Sequence, residues 1–169
     1  VDDNELNLVV AKELLKPLRM QIDTAENGLQ AVKMVRGSQY DLVLMDHMMP
    51  VMDGIEAAKA IRALPEDKYQ KLPIIALTAN AMVDARKEFL NAGMNGFVAK
   101  PIDFARICNQ LILWLPKDLV RDVPKEEAKK LLADDLSDRE IQPEDPQMGF
   151  SFEEGVKHCG SKAALMKTI

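Results

Sequence analysis

Short apolar runs alternate along this chain with longer stretches in which apolar positions recur every three or four residues. Asp41-Leu-Val-Leu-Met-Asp46, Pro73-Ile-Ile-Ala-Leu-Thr78 and Gly96-Phe-Val-Ala-Lys100 are too short for helices and are bounded by Pro, Gly and polar residues. Each predicts a buried strand. A further strand is predicted near Met20 to Thr24. Helical spacing predicts helices from about Glu5 to Leu18, with Leu6, Val10, Leu14 and Leu18 on one face, and from Asn27-Gly28 onward. It also predicts helices from about Gly54 to Leu64 and from Met82 to Ala92, the latter stopped by Gly93. A last helix carries Phe104, Ile107, Leu111 and Leu115 on its inner stripe, and Pro65 to Lys71 reads as a charged loop. Strands alternating with helices predict an α/β fold with a parallel, doubly wound sheet.

The strand ends carry the chemistry. Asp46 closes its apolar run just before the turn Met49-Pro50-Val51-Met52-Asp53-Gly54. That is the carboxyl end of a strand, where open α/β sheets place their ligand sites. Val1-Asp2-Asp3-Asn4 is an acidic pair at a second strand end, Thr78 a hydroxyl at a third, and Lys100-Pro101 an amine at a fourth. Singly, each has an ordinary explanation: a cap, a solvated pair, a surface lysine. Together they gather acids, a hydroxyl and an amine along one edge of a sheet. Clustered carboxylates repel unless a cation sits among them, and a hard ion with oxygen ligands fits.

This ordered set resembles the receiver domain of two-component response regulators and hybrid sensor histidine kinases, over roughly residues 1–116. The resemblance implies a flavodoxin-like sheet of five strands in the order 2-1-3-4-5. It implies that Asp46 is the phospho-acceptor. Asp2, Asp3 and Asp46 would hold Mg²⁺ together with the backbone carbonyl of Met48. Lys100 would contact the phosphoryl group, and Thr78 and Phe97 would form the switch pair. The Lys100–Pro101 bond is expected to be cis. The implied partner is a histidine kinase or a histidine-phosphotransfer domain, with self-association through the last receiver helix, and the implied activities are self-phosphorylation and autodephosphorylation. Met48 and Asn80, two residues after Asp46 and Thr78, would flank the hydrolytic water. Met48, apolar and without a strong hydrogen bond to orient that water, is expected to give a long-lived aspartyl phosphate, whereas Asn80 could still orient it. One departure stands out: only Val1 precedes the acidic pair, so the first strand is expected to be truncated here and to continue upstream in the natural protein. A Mg²⁺-dependent phosphohydrolase with an aspartyl nucleophile is the alternative, but such enzymes typically place a second acid where this chain has Met48.

Composition narrows the picture. The 169 residues are 47% hydrophobic, enough for one core and additional material. A net charge of −5 argues against a nucleic-acid surface. No run is apolar enough to span a membrane and no signal peptide is visible, so no membrane contact by this segment and a cytoplasmic location are expected, with anchoring of the parent protein left open. Cys108 and Cys159 have no metal-ligand spacing. Met45, Met48, Met49 and Met52 read as core and loop packing beside hard carboxylates rather than a soft-metal site. Residues 117–147 are proline-punctuated and acidic, a linker by composition, with a short helix predicted at Pro124 to Ala133. This acidic tether favours a hybrid sensor kinase as the parent over a transcription factor. Residues 148–169 are expected to be a helical extension that resembles the opening of a histidine-phosphotransfer domain. The reactive histidine of such a domain would lie beyond Ile169, which leaves His158 as structural or solvated.

Overall fold

The computed structural model describes residues 1–79, 83–123 and 163–166. A parallel sheet of β1 (Val43–Asp46), β2 (Ile74–Thr78) and β3 (Gly96–Ala99) lies at the centre, in that order. The register sets Asp46 opposite Leu77 and Thr78 opposite Ala99, so the strand ends align. Every residue of β2 is buried, as expected for a parallel strand covered on both faces.

Two helical layers provide that cover. On one face α2 (Gly28–Gly37), α3 (Gly54–Arg62) and α5 (Val83–Asn91) pack Ala31, Val35, Ile55, Ile61 and Phe89 against Met45, Ile74 and Ala76. On the other, α1 (Glu5–Leu15) and α6 (Phe104–Trp114) contribute Leu15, Phe104, Ile107 and Leu111. The α6 stripe expected from its spacing is buried. Four helices begin at an Asn or Asp whose side chain accepts a backbone N–H: Asn4, Asn27, Asp53 and Asp103. Asp53 and Glu56 form a reciprocal capping box that fixes the start of α3 just after the β1 loop. At the other end of α3, Arg62 donates to the carbonyls of Tyr69, Leu72 and Gly93 and to Asn95 Oδ1, tying three carbonyl-rich chain ends together.

Several elements differ from the sequence reading. Met20 to Thr24 is not a strand. Its neighbour in the sheet would be the strand that ends at the acidic pair, and here Val1 and Asp2 alone fill that position. On the side of Met20 to Thr24 there is a single rung, from Asp2 N–H to the Ala25 carbonyl. On the β1 side the Val1 amine donates to the Leu44 carbonyl and the Val1 carbonyl accepts from Asp46 N–H. A ladder needs several rungs, so three strands form this sheet among the described residues rather than five. The first stripe is met only in its second half: Leu6 is 67% and Val10 49% exposed, while Leu14 packs against the core and Leu18 is buried in it together with Leu15. With apolar residues at most positions of ELNLVVAKELL, period alone cannot choose the inner face. The charged loop contains a short helix, α4 (Asp67–Lys71), which buries Tyr69. Beyond α6, β4 (Val120–Val123) falls within the expected linker and pairs antiparallel with β5 (Ala163–Met166) in the expected helical extension. A four-residue piece has little helical preference of its own, so cross-strand pairing decides its state. Asn80, His158, Cys159 and the helix expected at Pro124 to Ala133 lie outside the described residues.

Candidate functional site

Each candidate group sits where a strand gives way to a loop. Asp46 is the last residue of β1 and is 7% exposed; Thr78 is the last of β2 and 1% exposed. Asp2, at 3%, lies at the stub beside β1, and Lys100 follows β3 directly. Backbone bonds fix this alignment: Lys100 N–H donates to the Thr78 carbonyl at 2.8 Å and His47 N–H to the Leu77 carbonyl at 2.9 Å. The Lys100–Pro101 peptide is cis, as the resemblance implied.

The ammonium of Lys100 bridges the two buried carboxylates. Its Nζ lies 2.7 Å from Asp2 Oδ2 and 2.9 Å from Asp46 Oδ2. Burial works against the charge on Lys100, but its bonds to Asp2 and Asp46 outweigh that cost and raise its pKa. Asp2 shows the complementary balance. Burial opposes its ionisation, yet hydrogen bonds from Lys100, the Asn7 side chain and the Asn4 backbone hold its pKa below the ordinary carboxylate value. Asn4 N–H and Asn7 Nδ2 both reach Asp2 Oδ1 at 3.0 Å, leaving Oδ2 to Lys100. Sequence reasoning missed Asn7. The signal was available, since a polar residue on the first turn of α1 follows the acidic pair at a spacing that lets it fold back.

Oxygen ligand atoms of Asp2, Asp3 and Asp46 all lie within 4.8 Å of one another. Asp3 is exposed and the other two are buried, so the group opens to solvent on one side. Three hard donors and two buried negative charges, already drawing in an ammonium, suit an oxygen-coordinated divalent cation. Among the described residues this is the one such cluster of His, Cys, Asp and Glu. The second acid that a phosphohydrolase would place at position 48 is Met48, whose side chain is 74% exposed. Phe97, in β3, packs against the layer that contains Phe89. Thus Asp2, Asp3, Asp46 and Lys100 are brought together directly and Thr78 lines the adjacent strand end, while Met48 lies on the loop after Asp46 and Phe97 packs within β3 against Phe89.

A parallel α/β sheet with an acid cluster and a lysine at its strand ends defines a class of phosphoryl-handling signalling domains. The chain belongs to the response regulator receiver domain family, whose model matches residues 1–112. It is 37% identical over 166 residues to the sensor protein GacS of Pseudomonas syringae pv. syringae, an alignment covering 98% of this chain and 17% of that protein. The chain therefore spans about a sixth of that relative's length. Among solved structures, it is similar to the receiver domain of sensor histidine kinase PA1611 from Pseudomonas aeruginosa PAO1, with magnesium ion coordinated in the active site cleft. That similarity has 39% identity and a TM-score of 0.62, covering 68% of this chain and 92% of that one. It is also similar to a Saccharomyces cerevisiae co-crystal structure of the histidine phosphotransfer signalling protein Ypd1 with the receiver domain of its downstream response regulator Ssk1. There the identity is 27% and the TM-score 0.60, covering 67% of this chain and 83% of that one.

Proposed function

We propose that this receiver accepts a phosphoryl group from a phosphohistidine onto Asp46 and passes the signal on within a hybrid-kinase phosphorelay. The observation that carries this reading is the Lys100 ammonium held between Asp2 and Asp46 beside Asp3. An Asp46 carboxylate oxygen attacks phosphorus, the new P–O bond forms, and the P–N bond to the donor imidazole breaks with its electron pair leaving on nitrogen. Lys100 and the Thr78 hydroxyl hold phosphoryl oxygens as charge shifts onto them. Asp2, Asp3, Asp46 and the Met48 carbonyl would hold Mg²⁺, which supplies charge neutralisation between the acids and the incoming phosphoryl group.

The donor must reach Asp46, and the exposed apolar residues around that opening support a docking surface. Met48 and Val51 lie on the loop after Asp46, at 74% and 77% exposure. Leu6, Val9 and Val10 form an exposed stripe on α1, the helix that starts two residues after Asp3. Ile112 and Leu113 on the outer face of α6 support the separate proposal of self-association there.

Incubation with acetyl phosphate and Mg²⁺ should add one phosphoryl mass to the intact protein. The adduct should be absent from Asp46→Asn and from protein treated with EDTA. Full labelling in either would overturn the assignment.

A further inference from the structure

His47 follows the phospho-acceptor, and its backbone is held on two sides. Its N–H donates to the Leu77 carbonyl at 2.9 Å, and its carbonyl accepts from Gly54 N–H at 3.1 Å. The ring meets Phe89 edge-on, with centroids 5.1 Å apart and planes at 76°. Phe89 belongs to α5 and is 2% exposed. The same Phe89 ring packs on Phe97 of β3 at 6.5 Å and 40°. Phe89 is thus shared by the residue after Asp46 and by the aromatic of β3.

We propose that Phe89 couples the position of Phe97 to His47, which makes His47 a positioning residue for Asp46. This rests on the reading of Asp46 as phospho-acceptor. Phe97 has no hydroxyl, so its placement can be communicated through packing alone. Close-packed interiors do not tolerate gaps, so a shift of the Phe97 ring draws Phe89 after it or opens a void. Phe89 in turn bears on a His47 ring whose main chain is pinned to β2 and to the start of α3. The displacement therefore reaches the Asp46–His47 peptide, where a small misplacement of the nucleophile is expensive in rate. By linkage the effect runs both ways: modification of Asp46 biases Phe97 and α5 along the same rings.

The test is a double-mutant cycle on the labelling rate with acetyl phosphate and saturating Mg²⁺, using His47→Ala, Phe97→Ala and the pair. His47→Ala should lower the maximal rate by at least about threefold. His47→Phe, which keeps a ring against Phe89, should restore most of it. The double variant should differ from the product of the single effects by more than about twofold, the limit for independent sites. Additive effects would overturn the coupling. Ring-proton NMR of His47 gives a readout independent of labelling. Phe97→Ala should shift these signals in the parent and leave them unmoved in a Phe89→Leu background. Unmoved His47 signals in the parent would overturn the proposal even if Asp46 is labelled. Conversely, a parent that takes no label sinks the phospho-acceptor reading, while the NMR result still decides the coupling.

Discussion

Gly54 approaches Asp46 so closely that a Cβ at position 54 would lie 2.1 Å from the Asp46 carbonyl oxygen. The contact is between backbones, with no flexible side chain to yield. The first turn of α3 is therefore docked onto the end of β1, and the Asp53–Glu56 capping box holds it there. Gly54→Ala must push the helix away from Asp46. It should cost about 1–3 kcal/mol, the range of an overpacked core, read by urea denaturation, and should slow labelling of Asp46. A variant with parent-like stability would show that the loop has room to relax.

Lys100 occupies the position where positive charge is needed before any metal arrives, which gives it two opposed effects. Lys100→Met should slow labelling about tenfold or more, the worth of one hydrogen bond to a charged group. It should also tighten Mg²⁺ binding, because the ammonium no longer competes for Asp2 and Asp46. The second effect is measured as a larger rise in melting temperature per increment of Mg²⁺. Weaker Mg²⁺ binding in the variant would contradict the competition.

The same pair sets a pH window for the metal-free protein. Asp2 has a lowered pKa, so its contribution is full above the unfolded value and is lost as pH falls through the folded one. Lys100 has a raised pKa, so its contribution is full below its unfolded value and is lost as pH rises through the folded one. Stability from the bridge should be flat from about pH 5 to pH 9 and fall outside that range. In EDTA, Asp2→Asn should flatten the acid limb of the stability profile. An unchanged acid limb in that variant would assign the loss to other carboxylates.

What the sequence revealed and what it concealed follow from the same physics. Asp46, Thr78 and Lys100 were legible because a buried parallel strand is a short apolar run, and a polar residue that ends it stands out. Asn27 announced a helix start by the side-chain chemistry of a cap, and Asn4, Asp53 and Asp103 carry the same signal. The inner face of α1 was not legible, since Leu6, Leu8, Val9, Val10 and Ala11 leave no polar stripe to mark the outside. The strand at Met20 to Thr24 depended on a partner strand of which Val1 and Asp2 alone are present. Ala163–Met166 became a strand through pairing with residues some forty positions away, which local propensity cannot register. The His47–Phe89–Phe97 packing was invisible for a related reason: His47 lies some forty positions before Phe89, and the rings meet only when the layers close.

Val51 carries a measurable strain. It has φ +71°, and the Met52 N–H donates to the Pro50 carbonyl at 2.8 Å, which makes Val51 the centre of a tight γ-turn. A β-branched residue is a poor occupant of that region, and at 77% exposure Val51 has little burial to offset it. Val51→Gly should relieve about 1–2 kcal/mol of steric cost while adding about 0.5–1 kcal/mol of unfolded-state entropy. A net stabilisation of no more than about 1.5 kcal/mol is expected, read from the shift in denaturation midpoint. Destabilisation by Val51→Gly would mean that the valine side chain makes compensating contacts.

Met48 bears on how long a phosphoryl group would persist at Asp46. Hydrolysis would need a water aligned opposite the departing Asp46 oxygen, and by the resemblance the residue two positions after Asp46 would help orient it. A methionine offers no strong hydrogen bond for that task. It could also act by crowding, but at 74% exposure the side chain is not packed over the site. The two effects separate by substitution. If the missing hydrogen bond matters, Met48→Asn should speed loss of the label several-fold by orienting the water, while Met48→Ala should match the parent. If crowding matters, both variants should lose the label faster. The measurement is decay of purified phosphoprotein in Mg²⁺ by intact mass. Parent decay as fast as that of Met48→Asn would remove Met48 from the account of phosphoryl lifetime altogether.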